Sequence, residues 1–331
     1  MSRPGVTGMG GASLVGVDLG GTLVRAAVAT GEASHAIPVR HPTPAGAPPE
    51  AVLDAIAAAV REATGGVTPG GVGIGIPGPL DPEAGVVYAA PNLHLWEDLP
   101  AQVMLEQRLG CPVAIQNDAR LAGLAEWIAG AAQRARFMLF VTVSTGVGGA
   151  IVTDGELYSG AAGTAGEIGH TIYRPDGPPC GQGHRGCLEG TASGTAIARR
   201  AHELLAAGER SSLSLVAPER LDARAVADAA ELGDALAVRL YAEAGRALGL
   251  ALGGMLNLLS PEVIVVGGGL LNAGDLLFAP LHAGVREIAF AAPLARCRFV
   301  PAALGTDAGL VGAVAWAVRR FGVAAGAPAG G

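Results

Sequence analysis

Short apolar runs followed by glycine- or proline-rich turns alternate along the chain with segments of helical periodicity. Residues 13–17 and 23–29 are apolar and enclose a turn at residues 18–22, which predicts a β-hairpin. Strands that alternate with helices predict an α/β protein. The same criteria predict further strands at residues 71–76, 85–88, 112–116, 137–143, 150–152 and 263–266, and helices at residues 50–63, 98–109, 119–131, 195–207, 223–231, 232–259 and 307–321.

The pattern of the opening hairpin returns at residues 137–152, where two apolar runs again enclose a glycine turn with hydroxyl side chains. Such repetition indicates two related lobes, although the sequence identity between them is weak. A length of 331 residues also exceeds what one hydrophobic core usually fills. We therefore expect two lobes with a cleft between them. The glycine-, proline- and cysteine-rich stretch 159–194 is long for a loop and is a functional candidate.

Charge and cysteine content limit the possible partners. The chain has 22 basic and 29 acidic residues and a net charge of -7, which disfavours nucleic acid and anionic membranes as partners. Apolar runs are shorter than the roughly 18 to 20 residues that cross a bilayer, and no secretion signal is recognisable. The four cysteines are scattered, as is typical of reduced thiols. We therefore expect a cytoplasmic protein with a small-molecule ligand.

All 22 basic residues are arginines, and the chain contains no lysine. Schiff-base enzymes that need a lysine are therefore excluded, among them pyridoxal-phosphate enzymes and class I aldolases. P-loop NTPases and protein kinases are excluded for the same reason. A nucleotide enzyme with this composition must hold phosphate by other means.

Three glycine turns, at residues 20–21, 146–149 and 267–269, each follow an apolar run. Backbone N–H groups can approach phosphate oxygens closely where no Cβ intervenes. Together the three turns indicate one nucleotide site, whereas each alone is more often only a turn.

A fourth glycine pattern does not indicate nucleotide binding. Gly73, Gly75 and Gly78 satisfy G-x-G-x-x-G, but prolines and a strand-like run follow them. The dinucleotide fingerprint must open a helix, so we reject it here.

Several motifs occur in the order that characterises one family. On these motifs the chain resembles the ROK sugar kinases from about residue 13 to residue 320. The resemblance implies an actin-like, hexokinase-like α/β fold of two ribonuclease H-like lobes, with ATP and sugar meeting in the cleft. The motifs are Val17-Asp18-Leu19-Gly20-Gly21-Thr22, Asn117-Asp118, Ser144-Thr145-Gly146-Val147-Gly148-Gly149, Gly166-Glu167-Ile168-Gly169-His170, the segment 180–189, the segment 261–269 and Gly305-Thr306-Asp307-Ala308-Gly309.

The resemblance implies ATP-dependent phosphorylation of a hexose at its 6-hydroxyl, with glucose as the default substrate. Asp118 then takes the proton of that hydroxyl as general base, and Asn117 hydrogen-bonds a sugar hydroxyl. Both residues end a predicted buried strand, where ligands bind in open α/β sheets. The alternative for Asp118 is a helix N-cap, which favours Asp.

Asp18 has no lysine beside it, and a lone carboxylate in a phosphate-facing turn would repel phosphate unless a cation intervened. We therefore assign Asp18 to Mg²⁺-ATP, through water. The alternative role is capping of the hairpin turn. The resemblance further implies that Gly20, Gly21 and Thr22 lie near the β and γ phosphates, that Thr145, Gly146, Gly148 and Gly149 form an opposing phosphate loop, and that Gly268 and Gly269 border the adenosine.

Sugar hydroxyls donate as well as accept, so a hexose pocket needs acceptor-only groups, which Glu167 and Glu189 provide, while His170 can do both. The positions of all three match the sugar contacts of the family. Taken singly, the glutamates could be solvated acids and the histidine a structural one.

The cysteine segment departs from the family pattern. The structural zinc site of the family uses one His, matched by His170, and three Cys in a C-x-C-x4-C arrangement, of which Cys180 and Cys187 are present. Gln182 replaces the middle cysteine, so a tetrahedral Zn²⁺ lacks one ligand. His184 could supply it and brace the loop; the alternative is a loop without metal.

The sequence leaves several points open. The sugar could be N-acetylglucosamine, N-acetylmannosamine, mannose or fructose, and polyphosphate could replace ATP. Sugar-responsive repressors of the same family carry a helix-turn-helix before the first hairpin, where only about a dozen residues stand here, so we disfavour a repressor. Asp118 and the three glycine turns disfavour a non-catalytic sugar sensor and a metal hydrolase. The resemblance suggests a homodimer or homotetramer. The predicted boundaries are a leader at 1–12, a small lobe at 13–118 with 307–322, a large lobe at 119–306 and a tail at 323–331.

Overall fold

The protein is described by a computed structural model that covers residues 11–90 and 93–322. Residues 1–10 of the predicted leader and the predicted tail 323–331 lie outside the described residues. In chain order the strands and helices are β1 (Leu14–Leu19), β2 (Leu23–Gly31), β3 (Ser34–His35), β4 (Val39–Pro42), α1 (Pro49–Ala63), β5 (Gly71–Ile76), β6 (Leu80–Asp81), β7 (Val86–Ala89), β8 (Glu97–Leu99), α2 (Ala101–Leu109), β9 (Val113–Asn117), α3 (Asp118–Ile128), β10 (Phe137–Val143), β11 (Val147–Thr153), β12 (Glu156–Leu157), α4 (Glu189–Ala192), α5 (Gly194–Ala206), α6 (Ala223–Glu231), α7 (Ala235–Leu259), β13 (Val263–Gly267), α8 (Asp275–Ile288), α9 (Ala291–Arg296), β14 (Arg298–Pro301) and α10 (Ala308–Phe321).

The chain divides into two compact units. Unit 1 contains the residues up to Arg134, residues 150–165 and the residues from Ala303 onward; unit 2 contains residues 135–149 and 166–302. Residues 119–134, which the sequence assigned to the large lobe, fall in unit 1. The reason is that Leu121 and Leu124 of α3 pack against Ala313 and Ala315 of α10.

The main sheet of unit 1 has the order β3-β2-β1-β5-β9, with β4 paired to β2. Strands β1 and β2 form the predicted antiparallel hairpin, while β1, β5 and β9 run parallel. Helix α10 packs directly on the backbone of β1 and β5. A Cβ on Gly16 would lie 2.4 Å from the backbone N of Val314, and one on Gly73 would lie 2.5 Å from that of Ala317. Two of the glycines in this region therefore allow helix–sheet packing.

The sheet of unit 2 has the order β11-β10-β13-β14, and the unit holds only the first residues of β11, 147–149. Strands β10, β13 and β14 are parallel. The long helix α7 packs closely on α8, since a Cβ on Gly249 would lie 2.1 Å from the carbonyl oxygen of Leu281. The sequence analysis did not predict α8, which contains Pro280, nor α9 or β14. None of the described helices is long and apolar enough to cross a membrane.

Three elements start three residues away from the predicted position. Residues 97–99 form β8 and α2 starts only after Pro100, because proline fixes the backbone at the helix entry. Helix α7 starts at Ala235, since Gly233 has a φ of 86° and Asp234 caps the helix. Strand β11 starts at Val147, three residues before the predicted start, so the second glycine turn is shorter than expected.

Candidate active site

The parallel strands of unit 1 bring two predicted site segments to one sheet edge. Asp18 of β1 is in register with Gly75 of β5, and Gly75 is in register with Gln116 of β9. Two strand spacings, about 10 Å, therefore separate the backbone of Asp18 from that of Gln116. The next residues along β9 and into α3 are Asn117 and Asp118. Asn117 and Asp118 therefore lie at the same carboxyl edge of the sheet as Asp18.

The cap of α3 is Asn117 and not Asp118. The Asn117 side chain accepts a hydrogen bond from the backbone N of Arg120 at 3.1 Å and donates to the carbonyl of Gly78 at 3.0 Å. Asp118 is the first helical residue, and its Oδ1 accepts from the backbone N of Ala119 at 2.8 Å. The capping alternative for Asp118 is therefore wrong, because the preceding residue performs it.

The premise that Asp18 has no cation beside it is also wrong. Arg25, which lies opposite Asp18 in the hairpin register, donates from Nε at 3.0 Å and from Nη2 at 2.6 Å to the same Asp18 oxygen, Oδ2. Both side chains are largely buried, with 17% of Arg25 and 15% of Asp18 exposed. Sequence reasoning looked for a neighbouring lysine and placed Asp18 in the turn, so it missed this arginine, which the structure pairs with Asp18 in the hairpin.

The adjoining turn is compact. The backbone N of Gly20 donates to the carbonyl of Leu23 at 2.9 Å, and the hydroxyl of Thr43 donates to the carbonyl of Gly20 at 2.8 Å. Gly21 and Thr22 are exposed at the tip of the hairpin. Their predicted phosphate contacts remain predictions.

Two further charged residues of unit 1 were missed by the sequence analysis. Glu126 is fully buried, and its carboxylate accepts hydrogen bonds from the backbone N of Ala131, Ala303 and Leu304 at 2.8 to 3.0 Å. Arg120 is 2% exposed and donates to the carbonyls of Gly163 and Ala165. Buried charges with several backbone partners fix the loops that they bind, and no periodic sequence signal reveals them.

In unit 2, the turn after β10 borders a cavity of about 760 Å³. Thr145 and Gly269, both predicted nucleotide contacts, line this cavity. The hydroxyl of Thr195 donates to the carbonyl of Thr145 at 2.8 Å and joins the turn to α5. Tyr241 also lines the cavity, and burial together with the nearby Asp222 raises its pKa to about 12, so its hydroxyl stays a donor. A cavity of this volume has the size of a drug-like ligand site.

The remaining predicted glycines of unit 2 are not on the cavity wall. Gly148 and Gly149 belong to β11 and do not form a loop. Gly268 has a φ of 95°, and a Cβ there would lie 2.2 Å from the carbonyl oxygen of Val143. Its backbone conformation and this close approach explain the glycine. Gly146 lies against Glu189, since a Cβ would lie 2.6 Å from Oε2 of that residue.

Glu189 ties two loops of unit 2 together. Its Oε2 accepts from the backbone N of Val147 at 3.1 Å, and its Oε1 accepts from that of Gly181 at 2.9 Å. A carboxylate has further lone pairs, so these bonds leave capacity for a sugar hydroxyl. Glu167 precedes the short 3-10 helix Ile168–His170, and its carbonyl accepts from the backbone N of His170 at 3.1 Å.

The four predicted zinc ligands, His170, Cys180, His184 and Cys187, lie together. One donor atom from each lies within 4.8 Å of the others. Nδ1 of His170 is buried without a hydrogen-bond partner, as a metal-binding nitrogen would be before the metal binds. Burial and the neighbouring Cys180 thiol raise the pKa of Cys187 to about 11. Two imidazoles and two cysteine sulfurs this close together form a donor set that suits zinc, which would bind the cysteines as thiolates.

A tight turn places His184 beside Cys180. The backbone N of Cys180 donates to the carbonyl of His184 at 2.8 Å, and Gly183 has a φ of 79°. The two histidine rings pack edge to face with centroids 6.0 Å apart.

The chain is similar to known proteins over most of its length. The sequence pattern of the ROK family matches residues 14–320. The chain is 35% identical to a glucokinase of Thermotoga maritima, over 93% of this chain and 98% of the relative. A solved structure, a ROK family glucokinase from Streptomyces griseus in complex with glucose and AMPPNP, matches with a TM-score of 0.77 and 34% identity, over 91% of this chain and 98% of that one. The DNA-binding transcriptional repressor Mlc of Escherichia coli is 34% identical over 67% of this chain and 54% of the repressor.

The sheets, the helices packed on them and the similarity to solved structures define an α/β protein with the hexokinase-like, actin-like ATPase fold, as the sequence predicted. Within that class, the chain belongs to the ROK family. Its relatives support a sugar kinase.

Proposed function

We propose that the protein is an ATP-dependent hexose kinase that phosphorylates the 6-hydroxyl of glucose, with Asp118 as general base. The observation that carries the proposal is the division of roles at the start of α3. Asn117 is the N-cap of the helix, and Asp118, whose Oδ1 accepts from the backbone N of Ala119, is the first helical residue, directly after the carboxyl end of β9. A carboxylate at this edge can accept the proton of an aligned hydroxyl as the hydroxyl oxygen attacks phosphorus.

On the phosphate side, Asp18 is proposed to hold Mg²⁺-ATP through water. Asp18 and the exposed Asp307 carry two negative charges near the single positive charge of Arg25, so the group as a whole attracts a cation. Carboxylate oxygen is a preferred Mg²⁺ ligand. When bound, Mg²⁺ would neutralise charge on the transferred phosphoryl group.

The cavity lined by Thr145 and Gly269 is proposed to hold the adenosine. Its size supports ATP over polyphosphate, which has no base to bury. The proposed sugar contacts are Glu167, His170 and Glu189, with glucose as the default and the other hexoses as alternatives. Zinc at His170, Cys180, His184 and Cys187 is proposed to brace the loop that carries His170.

A second candidate is a sugar sensor without kinase activity, which the similarity to a repressor favours. Asp118 distinguishes the two functions, since a sensor needs no general base.

The test is ADP release from MgATP, coupled to a spectroscopic readout, against a panel of hexoses and N-acetylhexosamines. We expect a sugar-dependent rate that is highest with glucose. A highest rate with another sugar would revise the substrate. ATP and sugar binding without ADP release would instead support the sensor.

A further inference from the structure

In unit 1, Arg25 connects Asp18 at the end of β1 with the loop before α10. It donates twice to Oδ2 of Asp18, and its Nη2 also donates to the carbonyl of Thr306 at 2.7 Å. Its Nη1 lies 3.6 Å from Oδ1 of Asp307. Each nitrogen of the guanidinium thus faces an oxygen of the protein, so the group is engaged before any ligand binds.

The loop that receives Arg25 is itself fixed. Its first residues, Ala303 and Leu304, donate their backbone N–H groups to the fully buried carboxylate of Glu126. Helix α10 follows the loop, and a Cβ on Gly309 in its first turn would lie 2.6 Å from Oδ1 of Asp18. The Asp18 carboxylate is therefore held by Arg25 on one oxygen and enclosed by the start of α10 at the other. A helix N-terminus favours a carboxylate in this position.

From this geometry we propose that Arg25 is a positioning residue, which holds the Asp18 carboxylate in the orientation that Mg²⁺-ATP requires. The inference rests on the proposed kinase function. Arg25 acts through Asp18: its Nε and Nη2 donate to Asp18 and to the carbonyl of Thr306, and its Nη1 faces the exposed carboxylate of Asp307. The planar guanidinium group can donate to the Asp18 carboxylate and to the Thr306 carbonyl at once, a geometry that the compact ammonium group of a lysine matches less well.

The test compares Arg25→Met and Arg25→Lys with the exposed Arg40→Met as control. Arg40 lies opposite Arg25 on β4, so its substitution removes the same charge from the same sheet. Loss of a residue that orients a metal ligand typically costs about 10- to 100-fold. We expect Arg25→Met to lower kcat/KM for MgATP by that factor, with the KM for the hexose changed by no more than about twofold. Arg25→Lys should recover only part of the loss, and Arg40→Met should behave as the unmodified protein.

A double substitution separates positioning from direct contact. If Arg25 acts through Asp18, Asp18→Asn with Arg25→Met is no worse than Asp18→Asn alone. If the two losses multiply, Arg25 contacts the nucleotide and the proposal is wrong. The proposal is equally wrong if Arg25→Met lowers only the melting temperature.

Calorimetric binding of AMPPNP provides a readout besides activity. Arg25→Met should weaken binding in the presence of Mg²⁺ and leave the weaker, Mg²⁺-free binding unchanged. Equal weakening under both conditions would overturn the proposal. If the unmodified protein shows no sugar-dependent ADP release with any sugar, the kinase function fails, while this binding comparison still decides the role of Arg25.

Discussion

At the scale of single residues, the two glycines after β13 have different reasons to be glycine. Gly268 adopts a φ of 95° and leaves no room for a Cβ beside Val143, whereas the nearest atom to a Cβ on Gly269 would be the Ser144 hydroxyl, at an ordinary contact distance of 3.6 Å. Only Gly269 lines the cavity proposed for adenosine. Gly268 is therefore required by the backbone, whereas Gly269 is proposed to contact the ligand.

This difference predicts opposite outcomes for two alanine substitutions. Gly268→Ala should lower the free energy of unfolding by about 2 kcal/mol or more, because both strain and a clash oppose it. Gly269→Ala should leave stability within about 0.5 kcal/mol and instead weaken ATP binding. Denaturant unfolding and calorimetric ATP titration measure the two effects. Equal stability of the two variants would contradict the structural role of Gly268.

The sequence predicted which polar residues lie at strand ends more reliably than it predicted which side chains contact one another. It identified Asp18 and Asp118 because polar residues that end apolar strands stand out. It did not identify Glu126, whose partners Ala303 and Leu304 are far along the chain. It also missed Arg25, because it placed Asp18 in the hairpin turn, whereas in the structure Asp18 is a strand residue paired with Arg25.

At the scale of elements, the loop with the cysteine segment predicts metal content. We expect the purified protein to contain about one zinc per chain and to lose it in Cys187→Ser and in His184→Ala. Gln182→Ala is the matched control and should retain the metal, because an amide oxygen is a weaker donor to zinc than thiolate or imidazole and the four other side chains suffice. Metal analysis and melting temperature measure both. If His184→Ala keeps its full zinc content, His184 is not a ligand. If the unmodified protein contains no zinc, the metal site is wrong and packing alone holds the loop.

The start of α7 predicts a pH-dependent contribution to stability. Burial alone would raise the pKa of Asp234, but hydrogen bonds from the backbone of Ala237 and Ser212 and from the hydroxyls of Ser211 and Ser212 lower it to about 2. The ionised cap therefore stabilises the fold above the unfolded pKa, 3.8, and the contribution is lost as the pH falls towards 2. Asp234→Ala should cost about 1 kcal/mol at neutral pH.

Asp234→Asn is the control for the cap. It keeps the hydrogen-bonding side chain and removes the charge, so its stability should lack the acid-dependent component between pH 4 and 2. Melting temperatures of the unmodified protein, Asp234→Ala and Asp234→Asn at pH 7, 4 and 3 measure this acid-dependent component. An identical pH dependence in all three proteins would contradict the assignment.

The elements themselves were predicted where apolar periodicity was strong. Strands β5 and β10 and helix α6 match the predicted residues. Helix α8 escaped because Pro280 inside it argues against a helix in sequence, while packing against α7 stabilises it. Strand β11 starts earlier than predicted, because the sequence analysis interpreted glycines 148 and 149 as part of a turn. Close packing explains a glycine within the strand, since a Cβ on Gly149 would lie 2.6 Å from the carbonyl oxygen of Gly166.

At the scale of the whole molecule, the order of motifs along the chain carried the family assignment, and the fold followed from it. The choice of hexose could not be predicted, because epimers differ by the position of one hydroxyl and pocket geometry distinguishes them. The resemblance also predicts a dimer or tetramer, which light scattering would measure.

The central claim, that Asp118 removes the proton of a sugar hydroxyl, is tested most directly by the turnover of Asp118→Ala on the sugar that the unmodified protein prefers. The account predicts that kcat falls by about 100-fold or more, while ATP and sugar binding stay within a few-fold of the original. Turnover at the rate of the unmodified protein would contradict it.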